Sequence, residues 1–336
     1  MKVLLRGTAG GGGWPEPGCR CASCSVLPAG HRRPFEPVVD GAVRFPFDAP
    51  PGGYRPFADG HGLAGPDGSR LLCVPGGPLP DVTAGGPVRC DLVLVDLLDE
   101  PERLGALRRD GVVDRGTEVV AVGLDHRVRS EEELARRLAL WGARAVPDGT
   151  TLDTLVPVVT PPVPAGRRAL LLGGSRSGKS AEAELRLAGE PFVTYLATGP
   201  RGDGDGEWAA RVRAHRERRP AHWATVETTD LAGAIGRATS PLLVDGLGTW
   251  LAAVFDEHGA WEGDRAPVWR RCDELVAAWR ETAWRIVAVS DEVGMGVVPA
   301  TSSGRAFRDA LGRLNERLAA ESEDVTLVVA GRPFRL

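Results

Sequence analysis

Apolar positions recur along the chain with two different periods. In the first half they form short runs among glycine- and proline-rich stretches. Residues 2–5, 69–74 and 91–98 have strand length and predict β-strands. Residues 131–141 repeat instead at helical spacing, with Leu134, Leu138 and Trp141 on one face and arginines opposite, which predicts an amphipathic helix. Beyond residue 168, strand-length runs at 169–172, 192–196, 242–244, 286–289 and 325–329 alternate with helical segments at 207–219, 267–284 and 307–320. Trp269, Trp279 and Trp284 fall on one such segment and are expected to anchor core or interface packing. This alternation predicts an α/β domain. Between the halves, residues 157–166 place four prolines in eight positions, which bars a helix and favours an extended spacer. The expected division is 1–156, a linker at 157–167, and 168–336, and 336 residues suffice for two domains with cores of their own.

The first strand of the second domain breaks into Gly173-Gly174-Ser175-Arg176-Ser177-Gly178-Lys179-Ser180, and helix-favouring residues follow at 181–185. The spacing is G-x-x-x-x-G-K-S in a strand–loop–helix context. Glycines let consecutive backbone N–H groups turn inward on a phosphate, and the helix N-terminus adds its partial positive charge. Lys179 is expected to reach the β- and γ-phosphates of a nucleoside triphosphate and Ser180 to ligate Mg²⁺. About 65 residues on, Pro241-Leu242-Leu243-Val244-Asp245 has the Walker B form. Strand ends of a parallel sheet meet at one edge, so Asp245 can approach the same Mg²⁺.

Two further clusters carry candidate chemistry. His215 sits among Arg211, Arg213, Arg216, Arg218 and Arg219. An imidazole is largely neutral and nucleophilic at pH 7, and those arginines would compensate a strongly anionic substrate. The residues alone equally allow an exposed helix histidine at His215 and a packing histidine at His222, beside Trp223. Cys19, Cys21 and Cys24 have a spacing that can wrap one face of a tetrahedral Zn²⁺, with a fourth ligand from elsewhere. Three ordinary loop thiols are the alternative. Cys73 and Cys90 lie in or beside strands and read as buried structural thiols.

Composition narrows the class without choosing within it. With 41 basic and 45 acidic residues the net charge is −4, which argues against nucleic acid as the main partner. No apolar run approaches the roughly 18 residues that a membrane span requires. Residues 1–6 turn polar too soon for a signal peptide, so a cytoplasmic enzyme is expected.

The second half resembles a known family over residues 169–331. In order stand the P-loop, Tyr195-Leu196-Ala197-Thr198, Arg211-Val212-Arg213-Ala214-His215, Arg219-Pro220-Ala221-His222-Trp223, Asp291-Glu292-Val293-Gly294-Met295-Gly296-Val297-Val298-Pro299, and the stretch from Phe307 to Ala319. The set resembles the bifunctional adenosylcobinamide kinase / adenosylcobinamide-phosphate guanylyltransferases of cobalamin biosynthesis. That resemblance implies two reactions. GTP or ATP phosphorylates the aminopropanol hydroxyl of adenosylcobinamide. GMP then passes from GTP through a phosphoramidate on His215 to adenosylcobinamide phosphate, giving adenosylcobinamide-GDP. It also implies nucleotide contacts at Gly173, Gly174, Ser175, Arg176, Ser177, Gly178, Lys179, Ser180, Ala197, Thr198, Gly199, Arg216, Glu217, Arg218, Arg219, Glu227 and Asp245, and a homo-oligomer. After Asp245 the family tends to read C-x-T-x-W, whereas this chain has Gly246-Leu247-Gly248-Thr249-Trp250.

The first half carries a patchier resemblance. Gly7-Thr8, the glycines 10–13, Trp14-Pro15 and C-x-C-x-x-C are similar to the start of metallo-β-lactamase-fold phosphodiesterases. The stretch 119–126 is similar to the end of their core. The resemblance implies a structural Zn²⁺ on Cys19, Cys21, Cys24 and His126. Gly123 stands where those enzymes carry a catalytic histidine, and no H-x-H-x-D-H string occurs. The expected domain is therefore a shortened, hydrolytically silent relative of that fold, with a residual phosphodiesterase as the competing reading. For the chain as a whole, the competitor to the bifunctional enzyme is a P-loop binding module without covalent chemistry.

Overall fold

The structure, a computed structural model, describes residues 1–83, 86, 88–161, 167–199, 213 and 219–336. It forms two compact units, Met1–Val163 with Ala188–Pro191, and Pro164–Leu187 with Phe192–Leu336. The four residues Ala188–Pro191 thus group with the first unit, whereas the sequence assigns them to the second.

In the first unit β1 (Lys2–Gly7) pairs antiparallel with β2 (Glu36–Val39) and β9 (Thr150–Asp153), and β3 (Val43–Arg44) completes a sheet of order β3-β2-β1-β9. A second sheet runs β4 (Arg55–Phe57), β5 (Gly62–Ala64), β6 (Arg70–Val74), β7 (Leu92–Val95), β8 (Glu118–Ala121), with β6, β7 and β8 parallel. Val3 and Leu5 of the first sheet share one buried cluster with Leu71, Leu92, Leu94 and Val120 of the second, so the sheets face each other across a common core. Strands β2 and β4 were not expected, because Pro37 and Pro56 interrupt their apolar pattern. Helices α1 (Ala22–Ser25), α2 (Glu102–Arg109) and α3 (Glu131–Trp141) complete the unit. The bounds of α3 match those read from the sequence, since Ser130 caps Glu133 N–H at 3.2 Å and Gly142 takes the left-handed conformation at φ 66°. Cys73 and Cys90 are fully buried, and burial raises both thiols, Cys90 to about 12.

The second unit is a seven-stranded sheet ordered β12-β11-β13-β14-β10-β15-β16. Its strands are β10 (Arg168–Gly173), β11 (Thr194–Ala197), β12 (Ala224–Glu227), β13 (Leu242–Asp245), β14 (Ile286–Asp291), β15 (Asp324–Val329) and β16 (Arg332–Arg335). All neighbours pair parallel except β16, which returns antiparallel on β15. Successive β10 residues point to opposite faces. Leu170 and Leu172 join a cluster with Trp250, Trp279 and Leu311, while Ala169 and Leu171 join Ala183, Leu187 and Val193. The first cluster is covered by α5 (Leu231–Gly236), α6 (Leu247–Glu257), α7 (Ala266–Glu281) and α8 (Ser302–Ala320); α4 (Lys179–Leu187) lies on the other face.

Two bounds differ from the sequence reading for identifiable reasons. Helix α7 stops at Glu281 because the Thr282 hydroxyl bonds back to Trp284, whose side chain is 40 % exposed. Trp279 by contrast is a core residue, and Trp269 packs against the same cluster. Helix α8 begins earlier than expected because the Thr301 hydroxyl caps Gly304 N–H at 3.1 Å. The helix expected at 207–219 lies outside the described residues apart from positions 213 and 219.

Candidate active site

Strand register brings the functional loops to one edge of the sheet. Gly173 at the end of β10 lies opposite Asp291 at the end of β14, and Ala197 at the end of β11 lies opposite Asp245 at the end of β13. The glycine loop then folds under local constraint. Gly178 has φ 96°, and a Cβ there would come within 3.0 Å of Gly331 Cα. Arg176 is also left-handed at φ 58°. At Gly173 a Cβ would collide with Val328 O at 2.7 Å. The Ser177 hydroxyl is buried without a hydrogen-bond partner among the described residues, an open acceptor and donor in the loop where a phosphate oxygen would lie.

From this loop Lys179, 8 % exposed, turns its ammonium to Gly174 O at 3.1 Å and to Asp291 Oδ1 at 2.9 Å. Ser180 Oγ donates to Asp245 Oδ1 at 3.4 Å. The other oxygen of Asp245 accepts the Tyr195 phenol at 3.1 Å. Burial raises the Tyr195 hydroxyl far above its ordinary value and the nearby Asp245 charge adds to the effect, so the phenol stays a donor. The Arg219 guanidinium lies over the Tyr195 ring at 3.7 Å. Thr198 is almost wholly buried, and its hydroxyl meets Gly246 O at 2.7 Å and Thr249 Oγ1 at 2.8 Å. Thr249, three residues beyond Gly246, thus belongs to this network.

Ser180 and Asp245 thus sit together as two oxygen donors suited to Mg²⁺. Ala197 ends β11, with Thr198 and Gly199 following at the same edge, and Glu227 ends the neighbouring β12. Arg213, exposed, and Arg219 are described; His215, Arg216, Glu217 and Arg218 lie outside the described residues. His222 is half-buried next to Trp223, which belongs to the core. Two residues at this edge had no role assigned from the sequence, Tyr195 and Asp291. Asp291 had a usable signal, because it ends an apolar strand in the same way as Asp245.

A sequence profile describing cobinamide kinase / cobinamide phosphate guanyltransferase (CobU) matches residues 169–336. The chain belongs to this family. The bifunctional adenosylcobalamin biosynthesis protein CobU of Salmonella typhimurium is 40 % identical over 177 residues, which covers 48 % of this chain and 95 % of that protein. CobP of Pseudomonas aeruginosa, with the same description, is 41 % identical over 177 residues, covering 50 % and 96 %. CobU of Escherichia coli is 36 % identical over 177 residues, covering 48 % and 95 %. The CobU profile begins at Ala169, so residues 1–168 lie outside it. Among the described residues no helix is long and apolar enough to cross a membrane.

The first unit holds a second cluster. Ligand atoms of Cys19, Cys21, Cys24 and His126 all lie within 4.8 Å of one another. Backbone pairing brings them together, because Gly10 N donates to Leu124 O and Leu124 N to Thr8 O. The Ser23 hydroxyl then bridges Trp14 Nε1 and Val128 O at 3.1 and 2.7 Å. Cys24 Sγ stands 3.6 Å from His126 Nδ1. Three sulfurs and one imidazole at these separations fit a tetrahedral zinc, whose bonds of about 2.0–2.3 Å space ligands near 3.5 Å.

Proposed function

We propose that the second unit carries out both reactions of its family at one triphosphate cradle. Adenosylcobinamide is phosphorylated by GTP or ATP, and the resulting phosphate ester accepts GMP from GTP by way of His215. The observation that carries this reading is the convergence of Lys179, Ser180 and Asp245 at the loop 173–180. Lys179 binds β- and γ-phosphate oxygens, and the loop N–H groups and the Ser177 hydroxyl orient the chain of phosphates. Ser180 and Asp245 would hold Mg²⁺, which would supply positive charge to offset that developing on the phosphates. Tyr195 fixes the Asp245 carboxylate in the orientation this requires. In the second reaction the His215 imidazole attacks the α-phosphate and pyrophosphate leaves, so that one displacement is divided into two.

Incubation of the full chain with GTP and Mg²⁺, followed by mass spectrometry, tests this reading. A GMP adduct on the peptide containing His215 is expected. His215→Ala should lose the adduct and keep phosphorylation. An adduct that survives in His215→Ala would refute the nucleophile, and no adduct with the wild-type chain would favour a nucleotide-gated binding module.

For the first unit we propose a zinc-stapled scaffold related to metallo-β-lactamase-fold phosphodiesterases. The support is the Cys19, Cys21, Cys24 and His126 cluster, together with Gly123 at the position of the catalytic histidine.

A further inference from the structure

Asp245, Asp291 and Glu292 all stand at the carboxyl edge of the second unit's sheet. Two of these carboxylates are committed. Asp245 takes the Ser180 and Tyr195 hydroxyls. Glu292 Oε1 accepts Gly294 N–H at 2.8 Å and holds the turn after β14. Asp291 is different. Its side chain is 44 % exposed and contacts Lys179 Nζ, the group that meets the γ-phosphate end of a bound triphosphate.

Asp291 is also held rigidly from behind. Asn315 on α8, 4 % exposed, donates to Asp291 O at 3.1 Å and accepts from Ser290 Oγ at 2.6 Å. Glu292 N donates to Gly173 O, tying the same strand end to the loop. Gly248 leaves room beside the carboxylate, since a Cβ there would lie 2.7 Å from Asp291 Oδ2. The turn that follows exposes Met295, Val297 and Val298, so an acceptor with an apolar body would meet an apolar wall on its way to Asp291.

We propose that Asp291 is the general base of the phosphoryl-transfer step, an inference that rests on the kinase reading above. Lys179 exchanges Asp291 for phosphate oxygens when the triphosphate binds, which frees the carboxylate. The acceptor hydroxyl oxygen bonds to the γ-phosphorus as the bond from that phosphorus to the β,γ-bridging oxygen breaks. The hydroxyl proton passes to Asp291, the electron pair of the broken bond leaves with the nucleoside diphosphate, and the proton is released to water as product departs. The guanylyl step does not draw on Asp291, because an imidazole nitrogen attacks with a lone pair already free.

Asp291→Asn in the full chain separates the two steps. With γ-labelled GTP, turnover for phosphorylation of adenosylcobinamide should fall by about 10²–10⁴-fold. The rate of GMP-adduct formation at saturating GTP should stay within about threefold, and adduct formation also reports that the variant is folded. Asp291→Glu, which keeps a base on a longer arm, should recover part of the phosphorylation rate. If both steps fall together, Asp291 serves only to hold Lys179 and the proposal is wrong. Undiminished phosphorylation in Asp291→Asn would overturn it as well. A wild-type chain that phosphorylates nothing is a separate outcome, and it would remove the kinase reading itself.

Discussion

Ser180 and Asp245 are 65 residues apart in sequence, yet the hydroxyl of one lies 3.4 Å from the carboxylate of the other. The contact exists because β10 and β13 run in the same direction in one sheet and end at one edge. An oxygen pair held between a strand end and the first turn of α4 suits a cation that must sit beside a phosphate chain without moving.

Tyr195 orients that pair through Asp245, so Tyr195→Phe tests its worth. Loss of a group that fixes a metal-binding carboxylate typically costs 10–100-fold in metal affinity. The Mg²⁺ concentration for half-maximal phosphorylation should rise by about that factor, with turnover at saturating Mg²⁺ nearly kept. A Mg²⁺ titration that overlays the wild type would remove Tyr195 from the site.

Arg186 is a structural counterpart on the other side of the loop. Its guanidinium is 5 % exposed and meets Glu182 at 3.2 Å, Asp324 at 2.8 Å and Thr326 at 2.9 Å, which fixes α4 to β15. Arg186→Ala withdraws the cation from two largely buried carboxylates and should cost about 3–5 kcal/mol of stability in the second unit. Calorimetry should show a lowered melting temperature for the nucleotide-stabilised transition. An unchanged transition would mean the network is energetically idle.

Glu133 on α3 gives the first unit an acid-sensitive contribution. Burial would raise this carboxyl, but hydrogen bonds from Arg136 and Arg137 outweigh it and hold Glu133 at about 2, below its ordinary 4.5. A depressed value in the folded state means the contribution is fully present above about 4.5. It is lost as pH falls through about 2. Glu133→Gln should therefore be less stable at neutral pH and show a flatter melting-temperature profile between pH 4.5 and 2. Parallel profiles would contradict the assignment.

The cysteine cluster predicts bound zinc. Elemental analysis of the full chain should find zinc in stoichiometric amount, and Cys24→Ser should lose it together with thermal stability in the first unit. GMP-adduct formation belongs to the other unit and should persist. A metal-free wild-type chain, purified without chelator and grown with zinc, would return these residues to ordinary thiols.

The sequence and structure agree most closely where a local pattern has a single physical solution. The run 170–180 could only be strand, tight glycine turn and helix, and α3 carries both of its caps in its own sequence. Agreement fails where contacts come from far away. Strand β2 contains Pro37 and is held by its pairing with β1. The role of Asp291 depends on β14 being inserted between β10 and β13, an ordering that no local pattern encodes. Tyr195 looks like an ordinary strand residue until the register places it beside Asp245.

That register also bears on how the site tolerates change. Gly173, Ala197, Asp245 and Asp291 all end strands at one edge, and the segments beyond them are cross-tied: Thr198 Oγ1 donates to Gly246 O at 2.7 Å, and Glu292 N donates to Gly173 O. A shift in one segment therefore strains the next. Thr249 Oγ1 adds to the same tie by donating to Gly246 O at 2.8 Å. Such an edge couples the loops around the phosphate site, so a substitution in one is expected to be felt at its neighbour.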